Sequence, residues 1–165
     1  MPHSIRLRGP WNYQPLIRFL PLASGQLRGA KENVPRGGTL ELPADWGGVL
    51  DSDFRGVVRF TRRFHRPTGL DAASRVWLLV DDVDWRAVVT LNERALGSVV
   101  SKLATESGAL RCPARFDITA DLLPQNLLSI DVTSPSLTAN GFPLPRPGRE
   151  DQPGGPIGRV RLEIE

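Results

Sequence analysis

The sequence predicts an all-β protein, an antiparallel β-sandwich of the jelly-roll kind, on three observations. Apolar side chains recur at every second position through residues 56–64, 75–80 and 85–92, the period of a half-buried strand. Short segments of this kind are separated by loops rich in glycine and proline along the whole chain, as in sandwiches and barrels. The spacing of three or four that a helix needs is almost absent, and the apolar runs are rich in Val and aromatic residues that favour strands.

Taken in order, residues 5–8 alternate as a short strand, broken at Gly9-Pro10 ahead of Trp11-Asn12-Tyr13. Residues 16–20 read as a second short strand ended by Pro21, and 23–38, with five glycines or prolines, as a loop. A strand resumes at 39–42, and Pro43 to Gly48 leads into the central stretch. From 56 to 64, Val58, Phe60, Arg62 and Phe64 face inward. From 75 to 80, Val76, Leu78 and Val80 do so, leaving Trp77 and Leu79 on the second face. From 85 to 92, Ala87, Val89 and Leu91 face inward, and a turn follows at Asn92. Residues 98–112 are open to a loop or a helical turn. Residues 115–118 form a strand with Phe116 and Ile118 inward, 121–124 a turn, and 127–132 a strand with Leu128, Ile130 and Val132 inward. Residues 135–158 carry too much proline and glycine for regular structure. Val160, Leu162 and Ile164 then close the chain as a last strand, expected beside the first.

Length and composition set the frame. A chain of 165 residues buries roughly 70% of the surface its unfolded form exposes, enough to need no disulfide or metal. One domain over 1–165 is expected, with 1–37 as N-terminal strands and loop packing on a body formed by 38–165. The single cysteine, Cys112, excludes an internal disulfide and a thiolate zinc cluster, and suits a reducing compartment. The N-terminal MPHSIRLRGPW has no apolar signal core, and no run approaches the roughly 20 apolar residues of a membrane span. A soluble, cytoplasmic protein with no membrane partner is expected. The net charge of +3 comes from arginine, Lys31 and Lys102 being the only lysines. Arginines are intermixed with Asp and Glu rather than gathered in a stripe, so a nucleic-acid partner is not expected.

Four motifs carry a family resemblance: FRGVVRFTRRFHRP, SRVWLLVDDVDWRAVVTLNERALG, ARFDITADLLPQNLLSIDV and GGPIGRVRLEI. In this order they resemble the N-terminal sugar-binding domain of family 2 glycoside hydrolases, the β-galactosidase and β-glucuronidase group, over residues 38–165. Matched positions are Gly56 and Arg62; Asp84, Asn92 and Gly97; Phe116, Asp117, Thr119 and Asn126; and Gly155, Ile157, Arg159, Val160 and Leu162. The resemblance implies the galactose-binding-like jelly roll. It departs at Glu93, where the family has glycine, and Glu tolerates positive φ poorly, so a turn of another type is expected at Asn92. Members of that family carry their catalytic glutamates on a TIM barrel, and the resemblance here is to the non-catalytic domain alone. No catalytic residue is therefore assigned. The resemblance also implies that the loop before the last strand leans toward the barrel, which singles out Glu150-Asp151-Gln152.

A carbohydrate site needs a flat aromatic face and planar polar side chains that bond paired hydroxyls. Trp11, Tyr13, Trp46, Trp77, Trp85 and Phe142 are the aromatic candidates; Asn12, Asn140, Arg146, Arg149, Glu150 and Asp151 the polar ones. The site is expected among Trp46, Trp85, Asn140, Phe142, Arg149, Glu150 and Asp151, with Phe142 on the long irregular loop the best candidate for an exposed ring. Trp46 and Trp85 also suit plugs at the ends of a sandwich. A Cys112–His65 nucleophile pair is the weaker catalytic alternative. Asp81, Asp82 and Asp84 could offer oxygens to calcium, although their spacing matches no EF-hand, so no metal site and no cofactor is assigned. The expected function is a non-catalytic carbohydrate-binding-like module. The alternatives are a glycoside hydrolase accessory subunit, or a scaffold that binds another protein through Trp77 and the outward arginines of 57–63.

Overall fold

The computed structural model describes residues 2–102, 109–146 and 148–165. Its elements are β1 (His3–Arg6), β2 (Trp11–Pro21), β3 (Leu27–Ala30), β4 (Gly38–Leu40), β5 (Gly56–His65), β6 (Val76–Val80), β7 (Arg86–Leu91), β8 (Arg94–Val100), β9 (Leu110–Arg111), β10 (Ala114–Asp117), β11 (Gln125–Ser134) and β12 (Val160–Ile164). Two 3-10 turns, at Trp46–Gly48 and Thr119–Asp121, complete it. No helix among these residues is long and apolar enough to cross a membrane.

The strands form two sheets. The smaller runs β1-β12-β6-β10; the larger runs β3-β2-β5-β11-β7-β8-β9, with β4 also on β2. β11 lies at the centre, paired along its whole length with β5 and over six residues with β7. Because side chains alternate, Val58 and Phe60, Leu128, Ile130 and Val132, and Ala87, Val89 and Leu91 leave the large sheet on one face. They meet Val76, Leu78, Val80, Phe116, Val160 and Leu162 from the small one, in one continuous buried core. The chain is thus the all-β sandwich that its periodicity predicts, and β1 pairs with β12 as expected, His3 opposite Ile164.

Four departures have physical causes. The strand expected over 16–20 is longer, Trp11–Pro21, and runs through Pro15 because that residue falls where β2 has no outer neighbour: β4 leaves at Tyr13, β3 joins at Arg18, and the register shifts between Pro15 and Ile17. A missing N–H at an unpaired, bulged edge costs no ladder bond. The expected loop at 23–38 contains β3, an edge strand whose two central residues are exposed and so carry no alternation. β8 occupies 94–100, hidden from the sequence by a bulge that takes Val89 to Gly97 and Thr90 to Ala95 and breaks period two. Of the ambiguous 98–112 segment, 98–100 end β8, 110–111 form β9, and 103–108 lie outside the described residues.

The fourth departure corrects the turn at Asn92. Asn92 and Glu93 have φ of 51° and 68°, the type I′ geometry of a two-residue hairpin, so Glu93 does take the left-handed region. Asn92 dictates this. Its Nδ2 donates to Asp121 O (3.1 Å) and Asn126 Oδ1 (2.9 Å), while its Oδ1 accepts from Leu127 N (2.9 Å). A residue held from three sides sets the twist of the hairpin and carries Glu93 with it.

Candidate functional site

The proline-rich segment 135–158, irregular as expected, is fastened to the sandwich by a buried ionic cluster. Asp84, 0% exposed, follows β6 and forms an isolated bridge with Gly155. Its Oδ2 accepts from Arg146 Nη1 (3.0 Å) and Arg149 Nε (2.6 Å). Arg146, 4% exposed, also donates to Ser134 Oγ (2.8 Å) and through Nη2 to the carbonyls of Glu150 (3.1 Å) and Gln152 (2.8 Å). Arg149 Nη2 reaches Pro153 O (2.9 Å). Two guanidinium groups thus satisfy three loop carbonyls and one oxygen of the carboxylate, while Asp84 Oδ1 is buried without a hydrogen-bond partner among the described residues. The guanidinium bonds replace the ladder that prolines deny.

Trp46 and Trp85, expected at a sugar site, present no ring face to solvent: they are 0% and 2% exposed. Trp46 stands edge-on to Phe54 at 5.7 Å, donates to Phe54 O (3.2 Å), and packs so close to Gly154 that a β-carbon there would lie 2.5 Å from its ring. Trp85 packs with Val100, the last residue of β8, and Ala109, just before β9. Both serve as plugs, the alternative that the sequence left open.

Phe142 and Asn140 are exposed, on a tip where Gly141 N donates to Thr138 O and Thr138 N to Phe142 O. The tip is stitched to the β2–β3 hairpin: Leu27 N donates to Gly141 O (2.8 Å) and Gln26 Nε2 to Asn140 O (2.7 Å). Between tip and latch lies an open cleft of about 380 Å³, walled by Leu27, Pro135, Pro143, Leu144 and Pro145, with Arg55, Arg146 and Glu150 as its polar groups. Burial, with Arg146 beside it, lowers the Arg55 pKa, while Asp84, Asp53 and Asp151 pull it upward. Glu150 is exposed and accepts from Gly148 N (3.1 Å), and Asp151 is exposed nearby in sequence. The structure therefore brings Glu150 and the latch arginine Arg146 to one cleft, beside Phe142 in the chain, and keeps Trp46 and Trp85 out of it. Arg55 was not legible as a site residue, since it is one of many arginines and precedes its strand by one position.

The remaining candidates separate. Cys112 is buried and its thiol is pushed up to about 12 by burial and by Asp82; His65 is exposed at the end of β5. A thiol so raised is protonated at neutral pH and is a poor nucleophile. Asp81 pairs with Arg161, Asp82 approaches Lys102 (4.0 Å), and Asp84 holds the two latch arginines. Among the described residues no group of three His, Cys, Asp or Glu side chains could hold a metal ion. Trp77, covered by the Arg115 guanidinium at 3.8 Å and bonded to Glu165, belongs to the small sheet. Arg59 and Arg63 point outward from the large one, and Arg59 is tied to Asp131 by two 2.8 Å bonds. The contact patch expected from Trp77 with these arginines is therefore corrected: they stand on opposite outer faces of the sandwich.

No family model and no curated protein matches the chain. Solved structures do. The FMN-binding β-glucuronidase from Facaelibacterium prausnitzii L2-6 matches with a TM-score of 0.68 and 20% identity, over 99% of this chain and 22% of that one. A Bifidobacterium dentium β-glucuronidase complexed with coumarin-3-O-glucuronide gives 0.65 and 22%, over 99% and 30%. A rhamnosidase from Novosphingobium sp. PP1Y gives 0.63 and 21%, over 100% and 15%. At these identities the likeness is one of fold. Nearly all of this chain matches less than a third of each glycosidase, which fits the N-terminal, galactose-binding-like domain that the sequence motifs resemble.

Proposed function

We propose that the chain is a non-catalytic carbohydrate-binding module and that its ligand lies in the cleft between the 138–143 tip and the Asp84 latch. The observation that carries this reading is the composition of that cleft in this fold: four proline and leucine walls from one loop, facing Arg55 and Glu150. Proline and leucine surfaces suit the C–H face of a sugar ring, while a guanidinium and a carboxylate bond paired hydroxyls. Exposed Phe142 adds an aromatic edge next to Pro143. The latch supports the reading physically, because a preorganised loop loses little freedom when a ligand binds. No cofactor enters the proposal.

A calorimetric titration against a panel of neutral mono- and oligosaccharides, with and without calcium, tests it. One sugar class binds, and Phe142→Ala together with Arg55→Ala weakens it at least about tenfold. Silence across the panel removes the module reading. It would leave action beside a separate catalytic subunit, for which exposed Glu150 and Asp151 on the latched loop are the contact groups.

A further inference from the structure

A second cleft, sharing no residue with the first, lies where β1 and β12 meet the chain entering Trp46. Its lining is Arg6, Arg8, Leu42, Pro43, Arg159 and Val160, around a volume of about 240 Å³. The backbone builds it tightly: Leu7 N donates to Val160 O (2.9 Å), and Leu42 N to Arg8 O (2.7 Å). Leu42 and Val160 are buried and give an apolar floor. Strand alternation sends Leu7, Val160 and Leu162 into the core and leaves Arg6, Arg8 and Arg159 outside.

The charge there is unbalanced. Arg8 has one acidic neighbour, Glu41, at 3.9 Å. Arg6 and Arg159 have no side-chain hydrogen bond or ion pair among the described residues. Arg6 is moreover directly opposite Arg161 in the ladder, a like-charge pairing that costs stability. Arg161 is taken by Asp81, so Asp81 does not answer Arg6 or Arg159. Three guanidinium groups thus face one carboxylate over a low-dielectric floor, an arrangement that raises the local positive potential.

We infer that this cleft binds a compact oxyanion group, a carboxylate, sulfate or phosphate, received by Arg6 and Arg159 with Arg8 at its rim. Guanidinium forks match the planar and tetrahedral oxygens of such groups in pairs. The cleft is smaller than the roughly 300–1,000 Å³ of drug-sized ligand sites, which suits one charged group or one acidic sugar ring.

The test is calorimetry and thermal denaturation of the purified chain with sodium sulfate, sodium phosphate or sodium galacturonate, each against sodium chloride of equal ionic strength. Galactose is the neutral control. At least one oxyanion binds with one-to-one stoichiometry and raises the midpoint; galactose does not act through these arginines. Arg6→Gln with Arg159→Gln weakens binding at least about tenfold, while Arg6→Lys with Arg159→Lys keeps some of it because the charge remains. Both positions are exposed, so the variants fold, which circular dichroism verifies. Inorganic ions binding as well as galacturonate identify a bare oxyanion site; galacturonate binding at least about tenfold more tightly identifies an acidic sugar. If no probe exceeds its chloride control, or the glutamine variant responds like the parent, the inference is wrong. A neutral sugar bound through Phe142 would leave that result unchanged, so the two clefts are judged separately.

Discussion

Glu93 is a non-glycine residue with φ of 68°, in a region that costs an L-residue about 1 kcal/mol or more. Nothing in its own side chain compensates. The hydrogen bonds that fix the hairpin all belong to Asn92. Glu93→Gly is therefore expected to stabilise the protein by roughly 0.5–1 kcal/mol, once the greater freedom of glycine in the unfolded chain is subtracted; urea denaturation measures it. Residue identity made some of this legible and some not. Asn at the hairpin was a clear turn signal, but its three bonds reach Asp121, Asn126 and Leu127, which no local reading brings together. In the same way Trp85 shares the parity of Ala87, Val89 and Leu91, yet it precedes β7 and is buried in a separate cluster with Val100 and Ala109, which alternation does not foretell. Arg55 acquires its place in the cleft only when 135–150 folds over it.

At the scale of elements, the strands β5, β6, β7, β10, β11 and β12 were readable to within about two residues, because each has one face in the core and keeps period two. β3 has almost no buried face, and β8 is bulged, so neither shows that period. The loop 135–158 was legible as irregular from its proline and glycine, yet not as ordered. Its order comes from Asp84, more than sixty residues away in sequence from Arg146 and Arg149. Removing that carboxylate leaves a buried guanidinium without its counterion. Asp84→Ala is expected to cost about 3–5 kcal/mol, as broken buried ion pairs do. Arg149→Ala, at a more open side chain, costs less. Chemical denaturation gives both values, and limited proteolysis of Asp84→Ala cuts within 146–152 before the strands. Equal losses for the two variants would mean that the latch does not act through the buried carboxylate.

For the whole molecule, one core couples both sheets, so a strained or titrating group in it acts on global stability. Cys112 is such a group. Its thiol, ordinarily near 9, is held at about 12 in the fold, mainly by burial. Above pH 9 the unfolded chain releases this proton while the folded chain keeps it, so stability falls as pH rises toward 12. The slope from this one group reaches at most about 1.4 kcal/mol per pH unit. Cys112→Ala is expected to flatten that alkaline limb relative to the parent, with little change below pH 8; denaturation midpoints across the range read the difference. Parallel limbs in the two proteins would exclude the thiol as the cause. The pairing of β1 with β12 acts at the same scale. Residue 3 lies opposite residue 164, so tension applied through the two ends of the chain pulls across the ladder rather than along it. Hydrogen bonds loaded in that direction break singly, rung after rung. The sandwich is therefore mechanically weak at this edge, opening like a zipper long before the central β5–β11 pair bears any force.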